Sequence, residues 1–238
     1  MGGKKKPAAA AKKANAEPDE STEKLYKLYK KKCNELQCPF STIMNEKFNE
    51  YRDEGTDITK VHLWEELGWA GIRALMDALK EINYLHAFSL RLWKTFCEDE
   101  GVRAICQWLE INRTIRFLEL LDNRITPLGC EFIGRILHPK MGSPIHTLKL
   151  DHNDIGSAGV AALAEGLAMN KTLNTLSLTY CNIDEDGARP LFEILIYTKS
   201  QLKELDVTGN RLRNEGVVQV LKGVQVAKSL EKIYLADN

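Results

Sequence analysis

Six glycines punctuate the chain at nearly constant intervals: Gly71, Gly101, Gly129, Gly159, Gly187 and Gly216 are separated by 30, 28, 30, 28 and 29 residues. A period near 29 restricts the fold to architectures in which one supersecondary unit is copied and stacked on itself. Four residues after each glycine stand Leu75, Ile105, Ile133, Leu163, Leu191 and Val220, and eight after stand Leu79, Leu109, Leu137, Leu167, Leu195 and Val224. All are aliphatic. Positions i, i+4 and i+8 share one helix face, so each glycine is expected to open a helix whose small first turn lies close to its neighbour.

A second pattern precedes each helix, with apolar residues two and three apart, a spacing no helix can use. It reads Ile115, Leu118, Leu120, Asn123, Ile125, then Ile145, Leu148, Leu150, Asn153, Ile155, then Leu173, Leu176, Leu178, Cys181, Ile183. Leu202, Leu205, Val207, Asn210, Leu212 and finally Leu230, Ile233, Leu235, Asn238 follow. The alternating central pair fits a short strand. The side-chain amide of each Asn can satisfy backbone groups that a tight turn leaves without partners, so Asn123, Asn153, Asn210 and Asn238, with Cys181 as a variant, form an expected structural ladder.

These residues, the outer helix and the linkers at Asn112-Arg113-Thr114-Ile115 and Asn170-Lys171-Thr172-Leu173 resemble the ribonuclease-inhibitor type of leucine-rich repeat over residues 115 to 238. The resemblance implies an α/β leucine-rich-repeat solenoid, with a curved parallel sheet on the concave side and helices on the convex side. Upstream the pattern degrades. Leu85, Phe88 and Leu90 read as a strand with Trp93 at the Asn position and two extra residues before Gly101, and Ile58, Val61 and Leu63 as an earlier strand with Glu66 at that position. Residues 58 to 238 are thus expected to hold seven strands and six helices.

Ahead of the array, Leu25, Leu28, Tyr29, Cys33 and Leu36 recur at helical spacing up to Pro39, and Ile43, Met44, Phe48 and Tyr51 follow Ser41, with Gly55 as a stop. Residues 21 to 57 read as a helical pair that caps the first repeat or docks separately. Residues 1 to 20 contain no leucine, isoleucine, valine or aromatic residue and are expected to be a disordered basic tail. Thirty-three Lys and Arg balance 33 Asp and Glu overall. Lys4, Lys5, Lys6, Lys12 and Lys13 stand without an acid in the first 16 residues, which leaves 28 bases against 33 acids, a net of −5, in the remainder. Such a tail suits an acidic surface, with tubulin the first candidate and nucleic acid the less favoured one.

The chain lacks the glycine-rich phosphate loops, the H-E-x-x-H helix and the G-x-S-x-G elbow, so the reading is non-enzymatic with no cofactor. His62, His86, His138, His146 and His152 are scattered, and the six cysteines include no C-x-x-C pair. Without an apolar span or export signal, the chain reads as a cytoplasmic protein with reduced thiols, and Asn112 and Asn170 as repeat positions rather than glycosylation acceptors.

What remains is the strand face turned away from the core, expected to carry Lys60, His62 and Trp64; Ala87, Ser89 and Arg91; Phe117, Glu119 and Leu121; Thr147, Lys149 and Asp151; Thr175, Ser177 and Thr179; Glu204, Asp206 and Thr208; and Lys232, Tyr234 and Ala236. Of these, Trp64, Arg91, Phe117, Glu119, Leu121, Thr147, Lys149, Asp151, Glu204, Asp206 and Tyr234 are the candidate protein-binding residues. Trp64, Phe117 and Leu121 mark either a contact patch or a surface covered by the early repeats and N-terminal helices. A short array behind a basic tail is similar to the small leucine-rich-repeat proteins of ciliary and flagellar axonemes, which implies a scaffold within a cytoskeletal assembly. The repeats also resemble those of Ran GTPase-activating proteins, which implies regulation of a small GTPase as the alternative. The strand at Leu230 to Leu235 has one paired edge, so this end is expected to continue into further chain or to be covered by a neighbouring subunit.

Overall fold

The computed structural model describes residues 21–238. Two helices come first, α1 (Ser21–Glu35) and α2 (Thr42–Glu54). Strand and helix then alternate: β1 (Lys60–Leu63), α3 (Gly68–Glu81), β2 (Ser89–Trp93), α4 (Glu98–Leu109), β3 (Phe117–Leu121), α5 (Pro127–Leu137), β4 (Thr147–Lys149) and α6 (Gly156–Leu167). The last elements are β5 (Thr175–Ser177), α7 (Ala188–Leu195), β6 (Glu204–Asp206), α8 (Arg213–Val226) and β7 (Lys232–Tyr234). The seven strands form one parallel sheet in chain order, each joined to the next by a helix. This is an α/β leucine-rich-repeat solenoid.

Inward strand residues such as Val61, Leu90, Leu118, Leu148, Leu176 and Leu205 are in register and almost wholly buried. The glycine-led helices lay Leu75, Ile105, Ile133, Leu163, Leu191 and Val220 against them. Successive helices pack on one another, and between α5 and α6 they come so close that a Cβ on Gly166 would strike the carbonyl of Gly134.

At the end of each strand from β2 to β7 the chain turns through a residue with positive φ, at Lys94, Asp122, His152, Tyr180, Gly209 and Asp237. The next side chain satisfies that turn. Asn153 Oδ1 accepts from the amides of Asn123 and Ile125 at 2.9 and 3.0 Å, while its Nδ2 donates to the carbonyls of Leu120 and Leu150 at 2.8 and 2.7 Å. Asn210 repeats the arrangement toward Cys181, Ile183, Leu178 and Val207. Asn123 and Asn238 bond in the same sense, and the Cys181 thiol meets the carbonyls of Leu150 and Thr179.

Asn112 and Asn170 form a second ladder, at the other end of the strands. Asn112 donates to the carbonyl of Tyr84 and accepts from Thr114 and Ile115, and Asn170 donates to Leu137 and accepts from Thr172 and Leu173. Both amides are buried.

The second repeat departs from the sequence reading by two residues. Leu90 pairs with Leu118 and Leu92 with Leu120, so the buried series is Ala87, Leu90, Leu92 and Thr95, while Leu85 is exposed. Thr95, not Trp93, occupies the Asn position, where its amide and hydroxyl both donate to Asn123 Oδ1 at 3.0 and 2.8 Å. Trp93 turns outward, Ala87 inward, and no residues are inserted before Gly101. In the first repeat Glu66 is exposed and joins no ladder. Its neighbour Glu65 accepts instead from Ser41, the Thr42 amide and hydroxyl, and the Ile43 amide, at the N-terminus of α2.

The two N-terminal helices extend the core of the first repeat. Leu25, Tyr29, Cys33, Met44 and Phe48 are buried in one cluster with Ile58, Ile72 and Leu75. Gly55, with φ of 65°, closes α2. At the other end, Leu230, Ile233 and Leu235 pack against the core but stay half-exposed.

Candidate protein-binding surface

The parallel register sorts the sheet face away from the helices into rows. The row at the strand starts holds Lys60, Ser89, Phe117, Thr147, Thr175, Glu204 and Lys232. Two residues on, a central row holds His62, Arg91, Glu119, Lys149, Ser177, Asp206 and Tyr234. Two residues further on, at or just past the strand ends, lie Trp64, Trp93, Leu121, Asp151, Thr179, Thr208 and Ala236.

The N-terminal end of this face is apolar. Trp64 is 62% exposed and Trp93 56%, and the partly covered Leu121 continues their row. The N-terminal helices do not cover the tryptophans. The three line a shallow cleft of about 250 Å³ with His62, Arg91 and Glu119. One wall is the Arg91–Glu119 ion pair at 3.2 Å, in which Glu119 is mostly buried. On the other side His62 Nε2 lies 2.9 Å from the buried Ser89 hydroxyl. Burial, and then the positive charges of Arg91, Lys47 and Lys60, push the His62 pKa down to about 4, so the ring is neutral at neutral pH.

The middle and C-terminal parts are more polar. Phe117 is half-buried with its ring edge-on to Phe88, their centroids 6.3 Å apart. Thr147, Lys149, Glu204 and Asp206 are half-exposed and Tyr234 is exposed. Glu204 lies 3.9 Å from Lys232, and Asp206 accepts from the Thr208 amide at 3.0 Å. Asp151 is not part of the open surface. It is 92% buried (8% exposed), accepting from the Ser177 hydroxyl at 2.6 Å and the Thr179 amide at 2.9 Å, so its carboxylate is a turn element. Past it, the His152 and Tyr180 rings stack at 5.0 Å with 8° between planes, and Tyr180 fills the space a Cβ on Gly209 would need.

Trp93 is the surface residue that reading the sequence missed. A count back from the glycine would have found it: Leu120 stands nine residues before Gly129, and Leu92 nine before Gly101. The tail lysines Lys4, Lys5, Lys6, Lys12 and Lys13 lie outside the described residues.

Burial pushes the Cys97 and Cys181 thiols up to about 12 and raises Cys106 and Cys130 as well, which keeps them protonated and unreactive. Among the described residues, no group of three or more His, Cys, Asp and Glu is placed to hold a metal ion, and no helix is long and apolar enough to cross a membrane.

A parallel sheet in chain order, one helix per strand and a ladder of turn asparagines define a leucine-rich-repeat protein. Residues 143–164, 170–192 and 199–220 match the Leucine Rich repeat family model. The chain is similar to NACHT, LRR and PYD domains-containing protein 13 of Homo sapiens, with 29% identity over 75% of this chain and 18% of that protein. It is also similar to the ribonuclease inhibitors of Mus musculus, 34% identical over 50% of this chain and 26% of the relative, and of Sus scrofa, 28% identical over 74% and 38%. The repeats thus resemble those of ribonuclease inhibitors and of NACHT, LRR and PYD domains-containing proteins, and the chain spans less than two fifths of the length of these relatives.

Proposed function

We propose that this array is a non-catalytic scaffold that binds another protein on the sheet face away from its helices. The observation that carries the reading is the pair of tryptophans standing more than half exposed at the ends of adjacent strands of the sheet, since large aromatic groups at the centre of a patch dominate binding energies. A fixed sheet also presents its side chains with little entropy left to lose on association. Similarity to ribonuclease inhibitors, whose name denotes action on another protein, supports the same reading. Replacing Phe117 and Lys149 together by alanine is expected to lower recovery of a bound partner while leaving the far-ultraviolet circular dichroism unchanged. Undiminished recovery would remove the central part of the face from the binding site.

The scaffold reading extends to a place in the cytoplasm within a microtubule assembly such as a ciliary or flagellar axoneme. Its support is the run of five tail lysines, which suits an acidic surface such as that of tubulin. Nothing in the names of the matched relatives points to an axoneme. Deleting residues 1 to 16 is expected to abolish co-sedimentation with microtubules at low salt, and equal sedimentation with and without them would leave the tail without this role.

A further inference from the structure

The cleft between β1 and β3 is two-sided in a way that specifies what it accepts. Along its strand-end side run Trp64, Trp93 and Leu121, two exposed indoles and an aliphatic neighbour that suit an apolar group. Toward the strand starts the charges are positive. Lys60 lies over the Phe88 ring at 5.9 Å, and Lys47 reaches the same region from α2. Neither makes an ion pair among the described residues. Arg91, by contrast, spends its charge on Glu119 at 3.2 Å, and Lys94 on Asp122 at 3.5 Å. On the strand-end side Glu65 is committed to the N-terminus of α2, which leaves Glu66 as an exposed carboxylate beyond the tryptophans. Burial first, and then the charges of Arg91, Lys47 and Lys60, keep the neighbouring His62 ring neutral, so it adds no charge of its own to this side.

We propose that this cleft docks an extended acidic segment of a partner protein, with one large apolar side chain seated against Trp64, Trp93 and Leu121 and carboxylates directed at Lys60 and Lys47. The proposal rests on the scaffold reading and names the chemistry of the partner at one end of the face. Spacing narrows it further. From the central row to the tryptophan row is two strand residues, or about 7 Å, and from Lys60 to Trp64 is four, or about 13 Å. An extended peptide therefore meets both sides when its acids lie two to four residues to one side of the apolar residue.

The test uses the full chain labelled with ¹⁵N, in which four indole signals report separately: Trp64 and Trp93 in the cleft, Trp69 on the outer helix α3 and Trp108 in the core. The probes are two blocked nonapeptides with a central leucine, one carrying three glutamates on one side of it and the other three lysines at the same positions. The glutamate peptide is expected to shift the Trp64 and Trp93 signals, and its affinity to fall several-fold as salt shortens the Debye length from about 10 Å toward 3 Å. Lys60→Gln combined with Lys47→Gln should weaken it several-fold without moving the Trp108 signal, and replacing the central leucine by glycine should abolish the shifts. Equal shifts with the lysine peptide, shifts at Trp69, or none at millimolar glutamate peptide would each overturn the proposal. The scaffold reading fails separately, if variants across the whole face leave partner recovery intact.

Discussion

The first two repeats and the four that follow reach the same backbone by different chemistry. From β3 to β6 the turns are closed by Asn123, Asn153, Cys181 and Asn210, and each asparagine serves its own turn and the one before. At β2 the position belongs to Thr95, which donates to Asn123 but offers no amide to a preceding turn, and at β1 the exposed Glu66 closes nothing. The missing turn chemistry is replaced by long-range side-chain contacts: Glu65 on the N-terminus of α2, the Tyr84 hydroxyl accepting from the Ile58 amide at 2.8 Å, and Arg52 paired with Glu23 at 2.9 Å. Both exposed tryptophans of the sheet face sit at this irregular end. Regular repeats hold the shape, and the departures from regularity carry the surface chemistry.

The largest test of that division is in the regular part. Leu176 is fully buried with strands on both sides, so Leu176→Ala should cost about 2 to 5 kcal/mol through lost burial and a residual cavity. Chemical denaturation reads this directly. A loss below about 1 kcal/mol would mean that the array collapses around the site and is less rigid than its register implies.

The ladder should show a graded difference between the two regions. Asn153→Ala strands the amides of Asn123 and Ile125 and the carbonyls of Leu120 and Leu150, and should cost about 1 to 3 kcal/mol. Thr95→Ala removes one hydroxyl donor and leaves the Thr95 amide still bonded to Asn123, so its cost should be the smaller, about 0.5 to 1.5 kcal/mol. Equal losses from the two variants would erase the contrast. Asn153→Ala that abolished partner binding with an unchanged melting temperature would show that residue to be part of a binding site.

How much of this was legible in the sequence follows the same line. The six glycines, the aliphatic positions after them and the asparagines are local signals repeated at a fixed interval, and they located all seven strands. The register of β2 was not legible from its own residues, because Phe88 and Leu90 imitate the repeat two positions early while Ala87, which fills the true first core position, carries too little apolar surface to announce itself. Asp151 misled in the opposite direction. Strand alternation puts it on the open face, and only the fold shows that the neighbouring Ser177 hydroxyl and Thr179 amide have captured its carboxylate. The cleft depends on Trp93 standing beside Trp64, and that follows only from the register counted back from Gly101, not from the residues of β2 themselves.

A smaller effect comes from Cys181, the one break in the regular ladder. A thiol is a weak acceptor, so its bond from the Asn153 amide serves that turn less well than Asn210 serves the amides of Cys181 and Ile183. Cys181→Asn should supply a stronger acceptor and raise stability by about 0.5 to 1.5 kcal/mol, the net worth of an added hydrogen bond. A destabilised variant would indicate that the pocket is shaped to sulfur and that the variant position is a packing choice.

The subtlest difference between the two regions is in their response to acid. Among the described histidines only His62 combines partial burial with three facing cations, Arg91 and Lys60 from the sheet and Lys47 from α2, with Glu119 as the nearby acid held by Arg91. Its pKa falls from an ordinary 6.5 to about 4 in the folded chain. The unfolded chain therefore binds a proton that the folded one refuses, so the stabilising contribution is complete above pH 6.5 and is lost as the pH drops from there toward 4. His62→Gln keeps a polar side chain near Ser89 and removes the titration. The difference in stability between the original chain and His62→Gln should then shift against the original between pH 6.5 and 4, with no change above 7. Amide exchange at Val61 and Leu90 should follow the same curve in the original chain while that at Leu176 and Leu205 stays flat over it. Parallel curves at both ends would mean that acid acts on the array as one cooperative body and that the irregular repeats hold no separate weakness.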